Sequence, residues 1–254
     1  MNIITVGNNK GGTGKTAITT HVGVALSKLQ KKVLIIDNDS QCNATSLLLS
    51  DKKFKYSMYD FLSDPANDIE CEVTTKFPNL YCIPNIVDTS GLSLRFARNY
   101  PESLYTMRTA LDKIKDKYDY ILIDCPPTLD IPMSMALCAS NAVIIPVEVG
   151  SIHSLDGLDK CLELIDAMME FNPVLNFLKL VMNKADKRTS ISKIMIDEIK
   201  NKYQNKYFET VISVCTAIQQ AEYLRKTLFE YRPTDGALHS YKNLAKEIVT
   251  SLEG

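Results

Sequence analysis

Short apolar runs alternate along the chain with stretches whose apolar residues have helical spacing. The first run, at residues 3–6, is rich in β-branched residues, which favour strands. The stretch after the next loop places apolar residues three or four positions apart, so it predicts a helix with one buried face. The apolar positions of this helix are Ile18, Val22, Ala25, Leu26 and Leu29.

The same alternation continues and predicts an α/β fold with a doubly wound, mostly parallel sheet of seven or eight strands and helices on both faces. Continuous apolar runs are typical of parallel strands that are buried on both faces. Residues 51–78 are polar and show no regular period. Further strands are predicted at 33–36, 80–84, 118–124, 142–147, 177–182 and 210–212, the last of which closes the sheet. Further helices are predicted at 89–100, at 102–117, at 155–170, from Thr189 or Ser190 onward, and through 236–245.

Length and composition fit one domain that covers residues 1–254. The 254 residues are 45% hydrophobic and 23% charged, which is ordinary for a globular domain. Because the formal net charge is only −1, any nucleic-acid surface has to be a local basic patch. No apolar run approaches the roughly 20 residues that cross a bilayer, and the start lacks a charged leader, so we expect no membrane contact and no export.

The seven cysteines form no Cys-x-x-Cys pair and are odd in number. This usage predicts buried, reduced thiols in a cytoplasmic protein. The three histidines, His21, His153 and His239, are scattered and lack metal-ligand spacing. The cysteines are Cys42, Cys71, Cys82, Cys125, Cys138, Cys161 and Cys215.

A glycine-rich stretch at residues 9–16 joins the first strand to the first helix. Glycines let a backbone approach phosphate groups, and the free N–H groups at the start of a helix favour negative charge. Lys15 can reach terminal phosphates, and the Thr16 hydroxyl can hold Mg²⁺. Asn9 stands where the usual pattern has its first glycine, so the alternative is a glycine-rich turn without a ligand.

A second lysine inside this loop points to a family. The loop resembles the deviant phosphate loop of the ParA/MinD ATPases in the stretch Lys10-Gly11-Gly12-Thr13-Gly14-Lys15-Thr16. The resemblance implies ATP and Mg²⁺ as cofactors, and it implies that Lys10 reaches the partner's nucleotide in a homodimer that forms on ATP. The residues assigned to ATP binding are Lys10, Gly11, Gly12, Thr13, Gly14, Lys15, Thr16, Ala17 and Asn183.

Two carboxylates, Asp37 and Asp39, follow the second predicted strand. The carboxyl ends of parallel strands are where α/β sheets bind ligands, although a solvated turn with an Asp cap has the same pattern. The stretch resembles the family pattern Asp-x-Asp-Pro-Gln-Gly-Asn-Ala-Thr, with Ser40 in place of proline and Cys42 in place of glycine. The resemblance implies that Asp39 positions the water that attacks the terminal phosphate.

A third motif is the strand that ends in Asp124. Together with the glycine-rich loop, it indicates the carboxylate that helps to hold Mg²⁺ in phosphate-loop NTPases. At the end of a later strand, the resemblance implies that Asn183 contacts adenine, and a turn asparagine is the alternative. We assign Mg²⁺ to Thr16, Asp39 and Asp124, and hydrolysis to Lys10, Lys15 and Asp39.

The region 184–206 carries seven basic and three acidic residues. A solvated helix face explains this charge, and so does a surface for non-specific DNA binding. The resemblance favours DNA, although residues 213–217 lack the arginines that many relatives carry there. The DNA candidates are Lys184, Lys187, Arg188, Lys193 and Lys200, followed by Arg225, Lys226 and the basic region 95–117.

The resemblance implies a partition ATPase that dimerises on ATP, associates with the nucleoid, and is released when a centromere-binding ParB-type partner stimulates hydrolysis. One alternative is a MinD-like ATPase that cycles on and off a membrane. The chain end, 247–254, has too few apolar residues between acidic ones for a basic, lipid-binding helix. The other alternative is a metabolic enzyme similar to nitrogenase iron protein or dethiobiotin synthetase. Cys125 lacks the paired cysteine that an iron–sulfur cluster would favour.

Overall fold

The central sheet has seven strands in the order β3-β4-β2-β5-β1-β6-β7. This order comes from a computed structural model that describes residues 1–50, 52–66, 69–150, 157–186 and 188–253. All neighbouring strands are parallel except β3 and β4, which confirms the predicted doubly wound sheet. The strands are β1 (Asn2–Val6), β2 (Val33–Asp37), β3 (Val73–Thr74), β4 (Leu80–Ile83), β5 (Tyr120–Asp124), β6 (Ala142–Glu148) and β7 (Asn176–Asn183).

Helices cover both faces of this sheet. Side chains alternate between the faces along each strand. The helices of the described residues are α1 (Lys15–Lys28), α2 (Asn43–Leu49), α3 (Met58–Ser63), α4 (Leu92–Arg98), α5 (Thr106–Leu111), α6 (Ile131–Ala139), α7 (Leu158–Met169), α8 (Ser190–Tyr203), α9 (Thr216–Tyr223), α10 (Leu228–Tyr231) and α11 (Ala237–Glu253). In β5, Ile121 and Ile123 pack with α3 to α8, whereas Tyr120 and Leu122 pack with α1, α2 and α9 to α11.

The seventh strand is not the one that the sequence predicts. Residues 210–212 form no strand, because the backbone N–H groups of Glu209 and Thr210 donate to the Glu247 carboxylate, at 2.8 and 2.9 Å. The segment still follows the edge of β7 through the bonds Phe208 N–H to Leu180 and Ile212 N–H to Met182. The seventh strand is instead β3, which lies beside β4 at the opposite edge of the sheet, in a stretch where the sequence shows no regular period.

The helices predicted at 89–100 and 102–117 are shorter than expected. The first is a 3₁₀ turn followed by α4, which ends before Pro101, as helices usually do near a proline. The second is α5 between two 3₁₀ turns. The chain leaves the helical path before Tyr118 because the Asp119 N–H bonds to the Lys32 carbonyl at the start of β5.

Three other helix predictions can be compared with the structure. The start of α8 is confirmed, and the Thr189 hydroxyl accepts a bond from the Ser192 N–H at 3.4 Å. The final helix is confirmed and extends to Glu253. The predicted start of the 155–170 helix, at Leu155, lies outside the described residues. Within the described residues, α7 begins at Leu158.

A buried histidine connects α1 to the opposite end of the chain. The His21 Nδ1–H donates to the Ala17 carbonyl at 2.7 Å, and Nε2 accepts from the Leu228 N–H at 2.9 Å. These partners require the neutral ring, whose face stacks on Tyr241 at 4.7 Å between centroids. Burial lowers the pKa of His21 from 6.5 to about 4.

His21 therefore predicts a loss of stability in mild acid. The unfolded chain takes up the proton near pH 6.5, whereas the folded chain resists it until about pH 4. Since the unfolded state binds more protons in this window, the free energy of unfolding falls with falling pH, by up to about 3 kcal/mol. Urea titrations between pH 7 and 4.5 give the free energy of unfolding at each pH. The His21→Gln variant should lack the part of its decrease with falling pH that His21 causes. Equal slopes for parent and variant would contradict the assignment, because both share every other titrating group.

Candidate nucleotide site

A cleft of about 460 Å³ opens at the carboxyl ends of the strands, where α/β sheets bind ligands. One wall is the loop between β1 and α1, together with Asp39 after β2. The other wall is the segment 213–222, with Asn183, Lys184 and Tyr241. The glycine-rich loop, the carboxylate after β2 and the asparagine at the end of β7 therefore lie around one cavity.

Two glycines give the loop its shape. Gly12 and Gly14 have φ angles of +76° and +88°, which are left-handed values that favour glycine. Gly14 precedes α1 directly and caps it without a side-chain bond. The first N–H groups of α1 lack intrahelical acceptors, which makes the start of this 14-residue helix suited to an anion.

The ends of β6 and β7 hold the loop at several points. The Asn8 amide donates to the Pro146 carbonyl at 2.6 Å and accepts from the Lys10 N–H at 3.0 Å. From β7, the buried Asn183 amide donates to the Thr13 carbonyl at 2.8 Å. Because both ends of the loop are tied to rigid strands, its backbone is fixed before a ligand arrives.

The Lys15 ammonium lies in a nearly buried position, with 7% of the residue exposed. It donates to the Lys10 carbonyl at 3.0 Å. Burial lowers the pKa of Lys15, and the nearby carboxylates of Asp124 and Asp39 oppose that shift. A phosphate is a stronger partner for a desolvated ammonium than a carbonyl. The geometry thus fits the predicted role of Lys15 in phosphate binding.

Asp124, at the end of β5, is fully buried beside α1. It accepts hydrogen bonds from the hydroxyls of Thr16 at 2.8 Å and Thr19 at 3.2 Å. Burial raises the pKa of Asp124, and the neighbouring Asp37 carboxylate raises it further. A cation at this position would relieve both effects.

Asp37 faces Asp124 across the pair of strands β2 and β5. Its carboxylate accepts from the N–H and the hydroxyl of Thr45, both at 2.7 Å. Asp37 therefore holds α2 against the sheet, while Asp39 lines the cleft. Asp39 is 8% exposed and accepts from the Gln41 N–H at 2.9 Å, so one of its oxygens braces the turn.

Cys42 is one departure from the family pattern, and its backbone conformation shows how the turn accommodates it. It has a φ of +57°, a left-handed value, at the position where the pattern has glycine. The turn therefore keeps the shape that glycine would give it, at a cost of about 1 kcal/mol. The Cys42 N–H still closes the turn on the Asp39 carbonyl at 2.9 Å.

The predicted magnesium ligands Thr16 and Asp124 lie in contact, and Asp39 is close enough to Asp124 to raise its pKa. Within the described residues, no group of three His, Cys, Asp or Glu side chains forms a metal site by itself. The oxygen donors fit Mg²⁺, which commonly keeps waters and uses one or two carboxylates together with phosphate oxygens.

The basic region is less uniform than its sequence indicates. The Lys184 ammonium donates to the Gly12 carbonyl at 2.5 Å, so it belongs to the cleft. Arg188 pairs with Asp186 at 2.8 Å and Lys200 pairs with Glu209 at 3.0 Å, while Lys193 is exposed on α8. Lys187 lies outside the described residues.

Several residues of the site carry no signal in the sequence. Asn8 and Thr19 act through partners that are distant along the chain. Cys215 and its neighbours, from a segment without arginines, line the cleft. Only the folded sheet shows that this segment faces the glycine-rich loop. The seven cysteines are all free thiols; five are buried, and Cys42 and Cys215 are half-buried.

Comparison with known proteins also indicates a nucleotide-binding ATPase. A family model described as "AAA domain" matches residues 1–177. The chain is 32% identical to the sporulation initiation inhibitor protein Soj of Bacillus subtilis (strain 168), over 98% of each chain. It is 29% identical to the chromosome partitioning protein ParA of Caulobacter vibrioides (strain NA1000 / CB15N), over 98% of this chain and 94% of that protein.

Among solved structures, the cell division ATPase MinD of Pyrococcus furiosus has a TM-score of 0.79 at 27% identity, over 98% of both chains. The septum site-determining protein MinD of Pyrococcus horikoshii OT3, complexed with Mg-ADP, also has a TM-score of 0.79, at 25% identity over 97% of this chain and 95% of that one.

The parallel sheet, the glycine-rich loop before α1 and the carboxylate at the end of β5 define a P-loop NTPase. Within that class, the matches to Soj and ParA extend over nearly the whole chain. The chain belongs to the ParA/MinD family of ATPases and is of the Soj type.

The two left-handed glycines provide a matched test of the loop. A Cβ at Gly12 meets no atom within 4 Å, so Gly12→Ala adds only backbone strain, about 1–2 kcal/mol. A Cβ at Gly14 would overlap the Asn183 amide as well. Gly14→Ala should therefore lower the free energy of unfolding more than Gly12→Ala and weaken nucleotide binding more. Urea unfolding measures the change in stability, and nucleotide titration measures the change in affinity. Equal changes in the two variants would argue against a role for the Asn183 amide in holding the loop.

Proposed function

We propose that the chain is an ATP-dependent partition ATPase that acts as a single domain, residues 1–254. It dimerises on ATP, binds DNA without sequence preference, and is released when a ParB-type partner stimulates hydrolysis. The observation that carries this proposal is the cleft lined by the phosphate loop, Lys15 and Asp39, with the buried Asp124 bonded to Thr16 beside it. Relatives named for chromosome partitioning support the cellular role.

ATP and Mg²⁺ are the cofactors of this proposal. Lys15 and the backbone from Gly11 to Ala17 bind the phosphates, and Asn183 with the segment 213–222 forms the wall for the adenine. Thr16 and Asp124 hold Mg²⁺, with Asp39 close by. When bound, the metal supplies positive charge to the phosphate oxygens.

Hydrolysis depends mainly on position and charge. Asp39 has one oxygen committed to the Gln41 N–H, which leaves its other oxygen to orient a water. Lys10 supplies charge to the nucleotide of the partner subunit. A site that lacks this lysine until a partner docks hydrolyses ATP slowly, so the ATP state lasts long enough to act as a signal.

The membrane-cycling alternative meets a structural objection. The final helix, α11, buries Leu238, Leu244 and Ile248 against the core, and it ends with Glu253 paired to Lys31 at 2.8 Å. Its apolar face is therefore covered by the protein rather than available to lipid. Across the described residues, no helix is long and apolar enough to cross a bilayer.

The iron–sulfur alternative meets a second objection. Cys125, the cysteine beside the magnesium motif, is 1% exposed, and burial raises its pKa above the ordinary range. A thiol that is buried and protonated is a poor cluster ligand. The partition ATPase therefore fits the structure better than an iron–sulfur protein.

The nucleotide roles are separable by three substitutions. Removing the ammonium from the nearly buried phosphate site in Lys15→Ala should cost about 3–5 kcal/mol, which is more than about 100-fold in ATP affinity. Asp39→Ala should bind ATP and accumulate as a dimer, because the attacking water loses its partner while Lys15 and the loop backbone still bind the phosphates. Lys10→Ala should bind nucleotide but fail to dimerise.

Nucleotide titration and size-exclusion chromatography with ATP test these three variants together. Unchanged affinity in Lys15→Ala would refute the phosphate site. A monomeric Asp39→Ala, or a Lys10→Ala that dimerises normally, would refute the corresponding role.

DNA binding should require ATP, because a dimer doubles the phosphate contacts of a monomer. Arg188→Glu with Lys193→Glu should weaken binding equally for unrelated duplexes and leave nucleotide affinity intact. If all four positions in the dimer contact phosphates, the slope of log K against log salt should shrink by about 3 to 4. Filter binding across a salt series measures this slope.

The matched control for this experiment is Arg95→Glu with Arg98→Glu, which makes the same change of charge on α4. If the control variant loses DNA binding and the variant with Arg188→Glu and Lys193→Glu does not, the surface lies on α4 and not in the region 184–206.

A further inference from the structure

An acidic side chain lies beside the lysine that distinguishes this phosphate loop. The Lys10 ammonium is 3.7 Å from a carboxylate oxygen of Glu148, the last residue of β6. Both side chains are partly accessible, with 28% of Lys10 and 30% of Glu148 exposed. The pair therefore lies at the edge of the site, where a second subunit can compete for the lysine.

The carboxylate is held on a rigid part of the fold. Glu148 pairs with Asn183 in the register of β6 and β7, and the next N–H, of Val149, donates to the Asn183 carbonyl at 2.8 Å. The end of β6 is thus fixed from the side of β7. A carboxylate on a paired strand keeps its position better than one on a loop.

The backbone of Lys10 is fixed independently of this ion pair. Its N–H donates to Asn8 and its carbonyl accepts from Lys15, each at 3.0 Å. Removing the Glu148 charge therefore leaves the loop in place and alters the surroundings of the Lys10 ammonium. This separation makes the role of Glu148 testable apart from nucleotide binding.

We propose that Glu148 is a positioning residue that holds the Lys10 ammonium within its own subunit until dimerisation on ATP offers the phosphates of the partner. The inference rests on the proposed function, in which Lys10 acts across the dimer. Glu148 then sets the threshold for dimerisation, because each subunit has to break this ion pair before its lysine can cross.

The size of the effect follows from the exposure of the pair. A partly exposed ion pair changes an equilibrium constant by about 1.4- to 5-fold. A dimer breaks two such pairs, so Glu148→Gln should tighten dimerisation by about 2- to 25-fold. Since salt screens the pair in the parent, the advantage of the variant should shrink as ionic strength rises.

The experiment compares the full chain with three variants by sedimentation equilibrium, in Mg²⁺ and a non-hydrolysable ATP analogue. Glu148→Gln removes the charge, and Glu148→Asp retains it. Glu209→Gln is the control, because it makes the same change of charge at the exposed partner of Lys200. Fluorescent ADP titration at low protein concentration reports the nucleotide affinity of each monomer.

The expected result is tighter dimerisation of Glu148→Gln, with Glu148→Asp close to the parent, Glu209→Gln unchanged, and ADP affinity equal in all four proteins. Equal or weaker dimerisation of Glu148→Gln would overturn the proposal. A tighter dimer in Glu209→Gln as well would overturn it too, since net charge alone would then explain the gain.

Failure of the proposed function has a different signature, which is a parent chain that stays monomeric with the ATP analogue. The ion pair is then tested in the monomer, by the rate at which acetic anhydride acetylates Lys10, followed by mass spectrometry. Glu148→Gln should raise this rate about 1.4- to 5-fold over Glu209→Gln, because the Glu148 carboxylate no longer attracts the ammonium. Equal rates would overturn the role of Glu148 regardless of dimerisation.

Discussion

Two buried carboxyl groups, on Asp37 and Asp124, lie opposite each other at the ends of adjacent strands. Burial raises the pKa of both, and the Asp37 carboxylate raises the pKa of Asp124 further. The fold offsets this cost with hydroxyl donors from Thr45 on one side and Thr16 on the other. Because Thr16 belongs to the first turn of α1, the carboxylate that favours a cation also fixes the helix that favours phosphate.

The phosphate loop depends on strands that come much later in the chain. β6 holds it through Asn8, and β7 holds it through Asn183. A loop with two left-handed glycines would otherwise lose much conformational entropy on binding a nucleotide. The sheet has already ordered this backbone, so the energy of phosphate contacts remains available for affinity.

The basic region is connected to the nucleotide cleft. Lys184, at its start, donates to the loop carbonyl of Gly12, and α8 follows only six residues later, at Ser190. A nucleotide that displaces this lysine would change the charge presented beside α8. Several other cations of the region are paired with acids, so the excess of positive charge counted along the sequence overstates what the surface offers.

The sequence by itself determined the parallel α/β sheet, the glycine-rich loop before α1 and the position of Asp124 at a strand end, because each depends on local spacing. Periods of hydrophobicity and short glycine-rich patterns can be recognised without knowledge of distant contacts. Tertiary structure alone decided that residues 210–212 donate to Glu247 instead of forming a strand, and that β3 completes the sheet. It also decided that Glu148 faces Lys10. These outcomes depend on partners far away in sequence, whose proximity is set by the packing of the whole sheet.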